Sequence, residues 1–222
     1  MNCDQSPVFE NDFELVWRFT GQLLQANHYL ILNKETDTFI AIDSGFGRSL
    51  MTDFLLERRR KLSVVYLTHG HFDHSGGAAN LAQINLCPVV MSKADDRTLK
   101  GSNFLLKMFG YGEKLVLPEV TLVDENFCDN GIRFYSCPGH TPGSVLIRTR
   151  SLVFTGDSVY ADRIDAIKLP GQDDDLLREG IIRNLPILES AERIFPGHGI
   201  EVPGNYLLRR NPELAQFIHS AA

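Results

Sequence analysis

The stretch "LTHGHFDHSGG", residues 67–77, places three of the chain's seven histidines and an aspartate within six positions, from His69 to His74. It follows the apolar run "SVVYLT" (63–68), whose β-branched and aromatic residues predict a buried strand. A helical pattern, Gly77–Ile84, comes next. A loop leaving the end of a core strand is held by the scaffold and can aim several polar side chains at one point. Imidazole nitrogens and carboxylate oxygens grouped in this way are suitable ligands for zinc or iron. Neighbours such as Asp73 and His74 are expected to point different ways, so one ion would not take all four residues, whereas two ions sharing the loop would.

Two ions need more ligands, and other strand ends offer them. "YSCPGHTPGS" sets His140 in a Pro/Gly-bounded turn after a strand at 132–136. "LVFTGDSVY" sets Asp157 two residues past Thr155, at the end of a strand at 151–155. "RIFPGHG" sets His198 between Gly197 and Gly199, after a strand at 192–195. Beside glycine the backbone can turn sharply and approach an ion. These loops use five of the seven histidines; His28 and His219 match nothing in the pattern.

Further strands are predicted at 38–43, 88–91 and 144–148, and helices at Ser49–Arg59, Gly77–Ile84 and Asp174–Leu185. Asn211-Pro212-Glu213 opens a last helix. Strands with interleaved helices predict a layered α/β domain. The runs between 132 and 155 are joined too tightly for helical crossovers, so antiparallel sheet is expected there. With no repeat and no Pro/Gly/Ser-rich linker, residues 1–222 read as a single domain.

The net charge of -6 excludes a broad basic surface for nucleic acid or anionic lipid. The one basic run, Arg58-Arg59-Arg60-Lys61, follows a predicted helix, where cations suit the dipole and solvent. No stretch approaches the roughly 20 apolar residues that span a bilayer, and the first residues do not resemble a signal peptide. Four scattered cysteines without a C-x-x-C pair predict free thiols in the cytoplasm, with Cys137 in the core. No G-x-S-x-G or P-loop pattern offers a competing chemistry.

The H-x-H-x-D-H at 69–74, the later His140, Asp157 and His198, and "FIAIDSG" with Asp43 together resemble the metallo-β-lactamase superfamily, in order from about Phe39 to Gly199. The resemblance implies an αββα four-layer sandwich with metals at one edge. It implies that His69, His71 and His140 bind one divalent ion, that Asp73, His74 and His198 bind a second, and that Asp157 bridges them. Zinc is the first expectation for both ions, with iron or manganese as substitutes. Asp43 would orient a ligand histidine by hydrogen bond.

Two bound metals can generate hydroxide at neutral pH and polarise a substrate oxygen, so the implied activity is hydrolysis by a metal-bridging hydroxide, with Asp73 shuttling a proton. The aspartate at 157 is usual in thioesterases, lactonases and phosphodiesterases of this superfamily and unusual in its true β-lactamases. Nuclease members commonly carry basic surfaces and extra domains, which this acidic chain does not resemble. "LTHGHFDHSGG", "CPGHTPGS" and "FTGDSVY" are closest to glyoxalase II-like hydrolases of acylglutathione. Only 24 residues follow His198, however, too few for the helical domain that grips glutathione in long glyoxalases. Short relatives carry a G-R-x-D-like element where this chain reads "ADRIDAIKLPGQDDD". Tyr160 resembles a tyrosine that positions the carbonyl in acyl-homoserine lactone hydrolases. The expected substrate is therefore a small thioester or lactone, with a dimer as one possible assembly. The alternative is a persulfide dioxygenase with one iron on His71 or His69, His140 and Asp157. Between Ser92 and Val123 lie Phe104, Leu105, Leu106, Met108, Phe109 and Tyr111; this segment reads either as an insertion covering the metal cleft or as a helix packed on the core.

Overall fold

The computed structural model describes residues 6–47, 50–163, 169 and 171–219. Ser49, Cys3 and most of "IDAIKLP" lie outside the described residues. The chain divides into two compact units, residues 1–91 with 99–122 and residues 92–98 with 123–222.

The first unit is built on a seven-stranded sheet in sequence order. β1 (Phe9–Glu10), β2 (Glu14–Thr20), β3 (Asn27–Asn33) and β4 (Thr38–Ile42) form an antiparallel meander. Helix α1 (Leu50–Glu57) then carries the chain to β5 (Leu62–Tyr66), parallel to β4. After one helical turn, α2 (Phe72–Ser75), helix α3 (Ala78–Asn85) leads to β6 (Val89–Ser92), parallel to β5. Parallel neighbours need such crossovers, and the apolar stripes of α1 and α3 supply the cover. Met51, Phe54 and Leu55 of α1 and Ala78 and Leu81 of α3 join Trp17, Leu30 and Val65 in one buried cluster. Helix α4 (Asp96–Met108) buries Leu99 in that cluster and Leu106 against Phe72 and Leu115, and leaves Phe104 and Met108 exposed. β7 (Val120–Val123) closes the sheet.

The second unit is built on a five-stranded sheet. β8 (Cys128–Asp129), β9 (Ile132–Ser136), β10 (Val145–Arg148) and β11 (Leu152–Gly156) form the expected antiparallel meander. Helix α5 (Asp174–Glu189) crosses to β12 (Arg193–Pro196), parallel to β11. Asp173 caps α5, accepting from the N–H groups of Asp175 (3.1 Å) and Leu176 (3.0 Å). The helix runs past its predicted end at Leu185 and through Pro186, because fully buried Leu188 holds the last turn on the core. α6 (Leu207–Arg210) and α7 (Pro212–His219) follow, with Leu207, Leu214 and Ile218 in the same core. Cys137 lies there too, and burial pushes its thiol up to about 11.

Both units are thus sheets with helices of their own, a mixed α/β fold as the sequence predicts. Strands β2 and β3 escape the sequence reading, as do β7 and the two-residue β1 and β8. Polar residues such as Glu14, Asn27 and His28 interrupt the apolar pattern of the first two, although all three are buried. The basic run lies as expected at the surface: the Arg58 guanidinium covers the Phe54 ring at 3.7 Å, and Arg60 pairs with Asp37.

Candidate metal centre

In the first unit the histidine stretch leaves β5 and forms α2 from Phe72 onward, so Asp73 and His74 sit on a helical turn rather than in a loop. Ser75 Oγ donates back to the carbonyl of His71 (2.9 Å), and Ser102 Oγ donates to that of Gly70 (2.6 Å). Gly77 is required here. A Cβ at this position would lie 2.8 Å from the Ser44 carbonyl oxygen, because the segment after β4 passes directly over it.

That segment delivers Asp43. Its backbone is left-handed (φ 58°), a conformation that aspartate tolerates better than most residues. The Asp43 carboxylate accepts the Thr68 N–H (2.8 Å) and the Thr68 hydroxyl (2.8 Å to Oδ2). With its proton committed to Asp43, the hydroxyl oxygen acts as acceptor for His69 Nδ1 at 3.0 Å. His74 Nδ1 donates to Asp43 Oδ2 at 2.8 Å. Both rings therefore carry their proton on Nδ1 and present Nε2 as a lone pair, the form in which imidazole binds a metal. The His69 ring stands 4.8 Å from that of His71 and 4.3 Å from that of His74, centroid to centroid. All four of His69, His71, Asp73 and His74 are buried.

Asp73 and His74 do not diverge as the sequence suggests. His74 Nε2 lies 3.7 Å from Asp73 Oδ2. The helical turn brings an outstretched ring and a short carboxylate to the same place, which an extended loop would not.

In the second unit His140 and Asp157 follow β9 and β11, and His198 follows β12. The His140 turn is pinned by Cys137 N–H to the Ser144 carbonyl (2.9 Å) and by Asp95 accepting the Gly143 N–H (3.1 Å). Gly197 N–H donates to the Gly156 carbonyl (2.7 Å), tying together the strand ends that carry His198 and Asp157. Asp157 Oδ2 then lies 3.5 Å from His140 Nε2 and 3.4 Å from His198 Nε2. These separations exceed a good N–H···O bond. They match the edge of a tetrahedron around an ion with bonds of about 2.0–2.1 Å, roughly 3.3–3.4 Å. One carboxylate oxygen thus stands at co-ligand distance from two imidazoles.

Tyr160 is buried, with its ring centroid 6.3 Å from that of His198. With His140 and Asp157 it lines a cavity of about 160 Å³ whose wall also includes Arg163, Gln172 and the apolar Leu177 and Ile181. Asn211, fully buried, donates through Nδ2 to the carbonyls of Tyr160 (3.0 Å) and Arg163 (2.7 Å) while its Oδ1 caps α7 at the Leu214 N–H (2.8 Å). The sequence reading missed Arg163 and Asn211; the Asn-Pro start of α7 marks the cap but carries no sign of the two bonds made backward. His28 is buried in the first unit, within electrostatic reach of His74, and His219 is exposed on α7.

A profile of the metallo-beta-lactamase superfamily matches residues 21–198. A "probable metallo-hydrolase" of Methanocaldococcus jannaschii is 25% identical over 191 residues, 83% of this chain and 93% of that protein. A "probable polyketide biosynthesis zinc-dependent hydrolase", BaeB of Bacillus velezensis, is 28% identical over 181 residues, 79% of this chain and 74% of that protein. The crystal structure of TTHA1623 in a di-iron-bound form superposes with a TM-score of 0.80 at 27% identity, covering 89% of this chain and 100% of that one.

Proposed function

The chain belongs to the metallo-β-lactamase superfamily, and on that premise we propose that it is a binuclear metal-dependent hydrolase of a small thioester or lactone. The residues that would hold the ions are His69, His71, Asp73, His74, His140, Asp157 and His198, with Asp157 the candidate shared ligand. The observation that carries this reading is the Asp157 oxygen at 3.5 and 3.4 Å from two imidazole nitrogens, a spacing that suits ligands of an ion, with the buried His69, His71, Asp73 and His74 of the first unit as donors for a second. When bound, divalent ions supply an activated water at neutral pH and Lewis acidity toward a carbonyl oxygen.

The chain's own residues do the rest. Asp43 and Thr68 hold His69 and His74 in one tautomer and orientation. Asp73, an acid beside His74, takes the proton released as water is consumed and returns it to the leaving group. Tyr160 lines the cavity that His140 and Asp157 also line, and in the mechanism its O–H would donate to the oxygen on which negative charge develops. The apolar part of the wall, Leu177 and Ile181, accommodates an acyl chain or small ring. Acylglutathione is one member of this class, and so is a short lactone.

Elemental analysis of the purified protein is the test. Close to two ions per chain, zinc or iron, with turnover of members of a thioester and lactone panel, is the expected result. Close to one iron per chain, with oxygen uptake on adding glutathione persulfide, overturns it in favour of a dioxygenase.

A further inference from the structure

Resting on the hydrolase reading, the geometry points to a narrower substrate class: we infer that Arg163 selects a short acyl group ending in a carboxylate. The cavity beside His140 and Asp157 measures about 160 Å³. Cavities of about 150 Å³ hold one benzene ring, so a group of roughly six non-hydrogen atoms fills this one. Its wall includes Tyr160 and Arg163 along with apolar side chains.

Three observations place Arg163. Its guanidinium lies over the Tyr160 ring, 5.0 Å from the centroid. A Cβ at Gly199, next to His198, would lie 3.2 Å from Nη1, so the guanidinium passes close to that residue. The backbone carbonyls of Arg163 and Tyr160 are held by Asn211. Among the described residues the ion pair of Arg163 is with Asp162, 3.5 Å away, and both side chains are nearly half exposed. A pair so long and so hydrated contributes little, and a substrate carboxylate can take its place at small cost. The remaining acid of the wall besides Asp157 is Asp174, which takes a hydrogen bond from Gln172 Nε2 at 3.1 Å. A guanidinium held over an aromatic ring offers its planar fork to a carboxylate, giving charge-assisted bonds stronger than neutral ones. An uncharged acyl group of the same shape leaves this fork to solvent.

The test uses the metal-replete protein and two thioesters of N-acetylcysteamine: succinyl, and 4-methylpentanoyl, in which an isopropyl group replaces the carboxylate. The unaltered protein should prefer the succinyl ester by 10-fold or more in kcat/KM. In Arg163→Gln that preference should fall roughly 10- to 100-fold, chiefly through KM, the range of a lost charge-assisted hydrogen bond. Arg163→Lys should retain part of it. A protein that prefers the uncharged ester, or a variant that loses both activities alike, overturns the inference. If neither ester is turned over, the thioesterase reading fails on its own. Selectivity is then read by calorimetry with the matching ketones, in which CH2 replaces sulfur. Binding of the charged ketone weakened at least 10-fold by Arg163→Gln upholds the role of Arg163, and equal binding refutes it.

Discussion

Asp43 Oδ2 lies 2.8 Å from His74 Nδ1, and the same carboxylate reaches His69 through the Thr68 hydroxyl. One buried acid, 26 to 31 positions before the two rings in sequence, thereby sets the tautomer of two neighbouring imidazoles.

Replacing Asp43 by Asn leaves a group that accepts one of these bonds but cannot serve both rings as a charged acceptor. Metal affinity is expected to drop about 10- to 100-fold, as happens when outer partners of ligand histidines are removed. Competition against a chelating dye measures this directly. An affinity equal to that of the unaltered protein would show that the rings are held by packing alone.

Tyr160→Phe removes one hydroxyl from the wall of the cavity while keeping the ring on which Arg163 rests. If the phenol donates to the developing oxyanion, kcat falls about 10- to 1000-fold and metal content stays the same. Steady-state kinetics on an uncharged thioester are the readout, and an unchanged kcat removes Tyr160 from the mechanism.

Asn211 has two tasks that substitution can separate. Serine retains a cap for α7 but lacks the amide that donates to the Tyr160 and Arg163 carbonyls. Asn211→Ser is expected to destabilise the protein by about 1–3 kcal/mol, the cost of leaving buried acceptors unmet, and to raise KM. Asn211→Ala should cost about 1 kcal/mol more for the lost cap. Denaturant unfolding of the three proteins gives both figures; equal stability of the serine and alanine variants would exclude the capping role.

His28 is held neutral by burial, which lowers its pKa to about 4 from 6.5. Unfolding exposes it to water and raises that value again, so the unfolded chain binds the extra proton between these limits. The stability this group contributes is complete above pH 6.5 and is lost as pH falls toward 4, by about 3 kcal/mol. His28→Phe, beside the Phe19 ring on which His28 stacks at 5.8 Å, should unfold with a shallower acid dependence than the unaltered chain. Identical slopes for the two proteins would assign the acid sensitivity to other groups.

Strand ends are legible in sequence because a buried strand needs an apolar run and its exit needs glycine, proline or a polar residue. Those rules mark the loops of His69–His74, His140, Asp157 and His198 without any contact being known. They also mark α5 and the hairpins from 132 to 155. They fail at β2 and β3, where Glu14, Asn27 and His28 are buried among apolar neighbours and break the pattern that the reading depends on. They fail again at α2, a single turn too short to show a period.

The sequence by itself determined which residues are candidates for the chemistry, since imidazoles and carboxylates at apolar strand ends point to a metal site through residue type and local pattern alone. Tertiary structure alone decided how those groups are tuned. The protonated nitrogens of His69 and His74 depend on a carboxylate that a left-handed turn carries back across β5. The backbone at Arg163 depends on Asn211, 48 residues later, which donates to its carbonyl. Hydrogen bonds and close approaches of this kind act over about 3 Å between residues far apart in the chain, and only packing of the folded core brings such partners within reach.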